Sequence, residues 1–153
     1  MCEDKLREYI ESVYKFSLIN LKNKSDAEDV CQEVMYKYLI NKPKFDNDKA
    51  AISWFYKVTI NLCHDIQKST WYKNVFSLEK LHSEDHFYSD NTDNTIIETI
   101  KALPNKYSEV IFLYYYQGYS AAEIAEILNK RENTIYSRLN RGREMLKEKL
   151  KED

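Results

Sequence analysis

Apolar positions recur every three or four residues along most of the chain, and each run is closed by a polar break. From about Glu3 to Leu21 the residues Leu6, Ile10, Val13, Tyr14 and Leu21 mark one face of a helix. Lys22-Asn23-Lys24 interrupts it. Ser25 to Glu28 has the spacing of a capping box and opens a second helix to about Leu39, with Ala27, Val30, Val34 and Leu39 inward. Asp26, Asp29, Gln32, Glu33 and Lys37 then face outward. Pro43 ends that pattern, and Asn41 to Lys49 is a loop with Phe45 as its anchor. Ile52, Phe55, Val58, Leu62 and Ile66 pattern a third helix from about Ala50 to Lys68, and three helices so connected close a small bundle.

The text changes at Trp71. Ser, Asp, Asn and His dominate from Ser83 to Asn94, with acidic residues in excess, and Trp71 to about Thr95 is expected to be a flexible linker with at most a short helical turn around Leu78 and Leu81. Helical periodicity resumes with Ile97, Ile100 and Leu103. Pro104 suits the start of the next helix, which runs through Val110, Ile111 and Leu113 to about Gln117, and Gly118 suits its end. Ser120 and Glu123 form a capping box ahead of Ile124, Ala125, Ile127 and Leu128. After a short turn, Ile135, Leu139, Gly142, Leu146 and Leu150 form an inward stripe. Asn133, Thr134, Tyr136, Ser137, Arg138, Asn140 and Arg141 are left outward, types suited to base edges and phosphates. A short helix, a tight turn and a second helix with such a face predict a helix-turn-helix. The expected fold is all-α: two small helical domains at 1–70 and 96–153 joined by a linker at 71–95, the second a four-helix unit.

Composition sharpens this. Two glycines and two prolines in 153 residues are too few for the turns of an all-β fold. The net charge is −2, yet Lys130 to Lys151 holds eight basic and three acidic residues, so positive charge gathers on the reading helix. The plainer reading is a helical hairpin with a solvated basic face, where pairs such as Glu144 with Lys147 need no functional explanation. Three widely spaced cysteines without a CxxC read as reduced thiols. His82 and His86 share i,i+4 spacing, but their surroundings are polar and poorly periodic, so no metal site and no cofactor is expected. No apolar run reaches membrane-spanning length and no signal segment follows Met1, so the expected location is cytoplasmic.

Several segments, in order and in register, resemble the extracytoplasmic-function sigma factors of bacterial RNA polymerase. DAEDVCQEV from Asp26 resembles the DAEDLxQEVF signature of region 2, and WFYKVTINLCHDIQKS from Trp54 the WLYRIARNLxxDxxR pattern that follows it. ALPNKYSEVIFLYYYQGYSAAEIAEIL from Ala102 resembles the start of region 4, and TIYSRLNRGREMLKEKL from Thr134 its recognition helix. The resemblance implies a non-enzymatic factor that binds core polymerase, through the β′ clamp helices and the β flap, and promoter DNA, with an anti-sigma protein as a further partner. It assigns the acidic face of Asp26, Glu28, Asp29, Gln32 and Glu33 to the clamp helices, the plainer alternative being a solvated face. It assigns Tyr56, Lys57, Asn61 and Asp65 to the −10 element, with a buried polar role competing for Asn61 and Asp65. Trp54 and Phe55 fall near an apolar stripe and fit the core better than a stacking platform. The −35 element falls to Asn133, Thr134, Tyr136, Ser137, Arg138 and Arg141.

The chain departs from the family around the second turn. Lys130 stands where an apolar residue is usual, Arg131 where a Ser often caps, Asn133 for a Gly and Tyr136 for a Lys, with Asn133 available as a shifted cap. Two other readings share the helix-turn-helix. A stand-alone regulator would need a dimerisation element or effector pocket, and neither is visible in Met1 to Lys68. A polymerase-binding protein without promoter specificity would fit the altered turn. A nuclease built on the carboxylates of the second helix is disfavoured, because their spacing is that of a cap and a solvent face and no His accompanies them.

Overall fold

The computed structural model describes residues 2–69 and 91–152. The linker assigned to 71–95 lies outside the described residues except at its end, and so do His82 and His86. Among the described residues the chain is helical and contains no strand. It divides into two compact units, Met1–Asp85 and His86–Asp153.

In the first unit α1 spans Glu3–Leu21, α2 Lys24–Asn41 and α3 Asp48–Lys68, each in contact with the other two. Lys22 takes a left-handed conformation (φ 59°) and its N–H donates to the Leu18 carbonyl at 2.8 Å, which closes α1. Asn23 then caps α2: its side chain accepts from the Asp26 N–H at 2.9 Å. The cap thus lies two residues before the Ser25 expected from sequence, since the chain reverses within Lys22-Asn23 and Asn23 meets the first free amides. Asn47 caps α3 in the same way, accepting from Ala50 at 2.8 Å.

The core gathers Val13, Leu21, Val30, Val34, Phe55 and Cys63, with Ile52, Val58, Leu62 and Ile66 packed against its edge. Phe55 meets Tyr9 and Tyr38 at ring distances of 5.4 and 5.5 Å. Phe45 anchors the α2–α3 loop on Trp54 and Phe55. The fully buried set on α3 includes Tyr56, Thr59 and Ile60 as well, so this helix buries a broader arc than its single apolar stripe indicates. Two polar ties join α3 to α1. Asp48 accepts from Lys5 at 3.1 Å and from the Tyr9 hydroxyl at 2.9 Å, and Gln67 donates to the side chain and carbonyl of buried Asn20. Leu39 does not join this core and stands exposed.

The second unit holds α4 (Asn91–Lys101), α5 (Asn105–Ile111), α6 (Ala121–Leu128) and α7 (Glu132–Glu152). Pro104 is the residue before α5. A π-helical turn over Phe112–Tyr116 continues α5 where an unbroken helix was expected, and the Gln117 N–H donates to the Phe112 carbonyl at 3.2 Å. Gly118 at φ +74° then ends it as anticipated. Ile100, Leu103, Val110, Leu113, Ile124 and Leu139 form the core, whereas Leu150 projects beyond it, exposed.

Candidate functional site

The helix-turn-helix is built by local chemistry. Ser120 accepts from the Glu123 N–H at 3.2 Å while the Glu123 carboxylate accepts from the Ser120 N–H at 2.9 Å, so both partners of the expected capping box are present. Asn129 closes α6 in the left-handed region, a conformation Asn tolerates. Lys130 and Arg131 complete the turn. Arg131 precedes α7 and its carbonyl accepts from Ile135, so Asn133 lies inside the first turn of α7 and does not cap it. Ile135 and Leu139 are buried against the rest of the unit. Gly142 sets the closeness of the α5–α7 crossing, because a Cβ there would lie 2.9 Å from Cγ1 of Ile111.

This seating leaves one face of α7 in solvent. Asn133, Tyr136, Ser137, Asn140 and Arg141 are exposed, and Thr134 and Arg138 are half-buried at its margin. Arg141 is held by Glu144 at 3.1 Å, and the Tyr136 hydroxyl donates to Glu132 at 3.4 Å. All six residues assigned to the −35 element therefore lie on the early half of one helix, and none is fully buried.

The acidic residues of α2 also share a surface. Glu28, Asp29, Gln32 and Glu33 are exposed and Asp26 half-buried, opposite the buried Ala27, Val30 and Val34. The side chains of Asp29, Gln32 and Glu33 make no hydrogen bond or ion pair among the described residues. Cys31 lies at the margin, where burial, and secondarily Glu28, pushes its thiol up to about 12. The same outward face continues into three apolar residues that sequence reasoning did not assign to it. Tyr36, Leu39 and Ile40 are 60, 56 and 63% exposed. The i,i+4 spacing of Tyr36 and Ile40 with Gln32 was the available signal, obscured because Leu39 matches the inward stripe.

On α3 the assigned residues separate. Lys57, Asn61 and Asp65 recur at i,i+4 on one face, with Asn61 and Asp65 exposed, which removes the buried polar alternative for both. Tyr56 departs from its assignment. Its side chain is fully buried and meets Phe16 edge-on at 5.5 Å, so it supports the bundle and offers no surface to DNA. Trp54 is half-buried among Tyr38, Phe45 and Phe55, whereas Phe55 is wholly core.

The two helical units thus carry exposed faces of different character, acidic passing to apolar on α2 and amide, hydroxyl and guanidinium on α7. The sequence matches the models of Sigma-70 region 2 over residues 6–72 and Sigma-70 region 4 over residues 93–146. It is 32% identical to the ECF RNA polymerase sigma factor SigW of Bacillus subtilis, over 94% of this chain and 86% of that one. It is 28% identical to SigV of the same organism, over 97% and 90%. Its fold is similar to that of the sigma factor RpoE in a co-crystal with the anti-sigma factor NepR from Bartonella quintana, with a TM-score of 0.67 at 20% identity over 99% of this chain and 97% of that one. The chain belongs to the extracytoplasmic-function sigma factors of RNA polymerase: it binds the core enzyme and directs initiation at promoters.

Proposed function

We propose that this sigma factor divides its work between two surfaces. The face of α2, from Asp26 through Glu33 to Tyr36 and Ile40, docks on the β′ clamp helices. The early face of α7, centred on Arg138 and Arg141 with Tyr136 beside them, reads the −35 duplex in the major groove. Asn133, Thr134 and Ser137 contact the backbone near the helix start. Lys57, Asn61 and Asp65 on α3 contact the −10 element, with Tyr56 as support beneath them. The factor acts in the cytoplasm and contributes binding energy and no covalent chemistry. An anti-sigma protein would silence it by covering these same surfaces, and the β flap is the further polymerase contact of the second unit.

The observation that carries this reading is the opposite character of the two exposed faces. The carboxylates of Asp29 and Glu33, unpaired among the described residues, beside exposed apolar side chains suit a protein interface with a polar rim. Amide, hydroxyl and guanidinium groups on a helix seated in a helix-turn-helix suit base edges and phosphates.

Run-off transcription with bacterial core polymerase on a library of upstream sequences tests it. Initiation from a discrete subset of templates, dependent on the added chain, is expected. Arg138→Ala should lower promoter-specific initiation while core association persists, and Asp29→Lys with Glu33→Lys should do the reverse. Equal loss of both activities in both variants would overturn the two-surface division. Co-elution with core polymerase without initiation would instead favour a polymerase-binding protein that lacks promoter specificity. Promoter binding without core polymerase would favour a stand-alone regulator.

A further inference from the structure

Arg143 lies outside every assignment made above, yet its guanidinium is held on more sides than that of any other cation on α7. Its Nε–H donates to the Tyr115 hydroxyl, and Nη1 donates to Oδ1 of Asn140 at 2.9 Å. Its central carbon lies 5.5 Å from the ring centroids of both Tyr114 and Tyr115. Those two rings stand edge to face at 4.9 Å within the π-helical turn. Two of the five guanidinium N–H donors are used by these contacts, and no carboxylate pairs with Arg143 among the described residues. Arg141, two residues earlier, is by contrast partly neutralised by Glu144.

The position is as telling as the preorganisation. Tyr136, Asn140, Arg143 and Lys147 follow one another at steps of four, three and four, so they share one flank of α7 beside the reading face. Tyr115, 56% exposed, extends this flank from the neighbouring turn. Two acidic side chains border the flank: Glu132 at the start of the helix is bonded to Tyr136, and Glu144, next to Arg143 in sequence, is drawn to Arg141. The flank therefore presents a fixed cation, hydroxyls and an amide, continuous with residues that face the duplex.

We propose that Arg143, oriented by Tyr115 and Asn140 and backed by Tyr114, clamps a backbone phosphate of the upstream duplex beside the −35 bases. The free edge of a fixed guanidinium matches the charge and geometry of a phosphodiester, and the ordering of its long side chain is complete before DNA arrives. A backbone contact of this kind sets the register of α7 and adds affinity without sequence preference. The inference rests on the reading that α7 enters the major groove.

The test uses holoenzyme assembled with the full chain and measures binding to promoter duplexes as salt is raised. Arg143→Gln should weaken binding several-fold to the same extent at every upstream sequence, and should reduce the slope of log affinity against log salt by about one. Between about 50 and 200 mM salt the native holoenzyme should then lose about three to four times more affinity than the variant. Arg143→Lys should keep the slope, because the charge remains, and Tyr115→Phe should keep the slope while weakening binding. An unchanged slope with Arg143→Gln, or a loss confined to core association or to the folded fraction in a thermal melt, would overturn the clamp. The reading of α7 is judged separately on Arg138→Ala. A preference among −35 sequences unchanged by that variant counts against the reading, whatever Arg143→Gln does to the slope.

Discussion

Ser17 is wholly buried in α1, and its hydroxyl has no hydrogen-bond partner among the described residues. Such a group loses its water on folding without compensation, so Ser17→Ala should raise stability by about 1 kcal/mol in chemical denaturation. Gly142 is constrained in the opposite sense. Alanine there gains about 1 kcal/mol of helix propensity but forces the buried Ile111 to move, at a cost of about 1–3 kcal/mol. Gly142→Ala should therefore lower the unfolding midpoint, and should reduce promoter binding more than core association. At this scale the sequence was legible where partners are close along the chain. The Ser120–Glu123 box and the buried Ile135 and Leu139 needed only local spacing. Tyr56 did not yield to it, because the packing partner that covers it, Phe16, lies on another helix. Arg143 was hidden for the same reason: the ring that orients it comes from residue 115.

The elements themselves were largely readable from hydrophobic period, including three helices in the first unit and a helix-turn-helix in the second. The exceptions lie where backbone geometry changes without a change in pattern. The π-helical turn keeps the apolar spacing of Phe112 and Leu113, and the left-handed caps at Lys22 and Lys42 use a residue with no preference for that conformation. Between α1 and α3 the tie at Asp48 makes stability depend on pH. Hydrogen bonds from Lys5 and then Tyr9 hold the Asp48 carboxyl below its ordinary range. A depressed carboxylate contributes stability above its unfolded value, near 3.9, and loses it as pH falls through the folded value. Asp48→Asn should thus be less stable than the native chain at neutral pH, with the difference shrinking on acid titration below about 4. On α2 the apolar end of the proposed docking face has its own signature. Tyr36→Ser with Ile40→Ser should weaken core association roughly tenfold or more, since each side chain gives up about 1–2 kcal/mol of burial. The salt dependence of association should change little, unlike that of Asp29→Lys with Glu33→Lys.

Across the whole molecule, positive and negative charge nearly balance. The net charge of −2 conceals eight basic against three acidic residues between Lys130 and Lys151. The free chain should therefore bind duplex DNA weakly at physiological salt, and a gel-shift titration with and without core polymerase should show promoter affinity arising mainly in the holoenzyme. The exposed cluster of Tyr36, Leu39 and Ile40 has a further consequence for the free protein. Clustered apolar side chains in solvent mark a site for a partner and, left uncovered, a liability to self-association. The purified chain should therefore form soluble oligomers as its concentration rises, read by light scattering, and core polymerase or Tyr36→Ser with Ile40→Ser should suppress them.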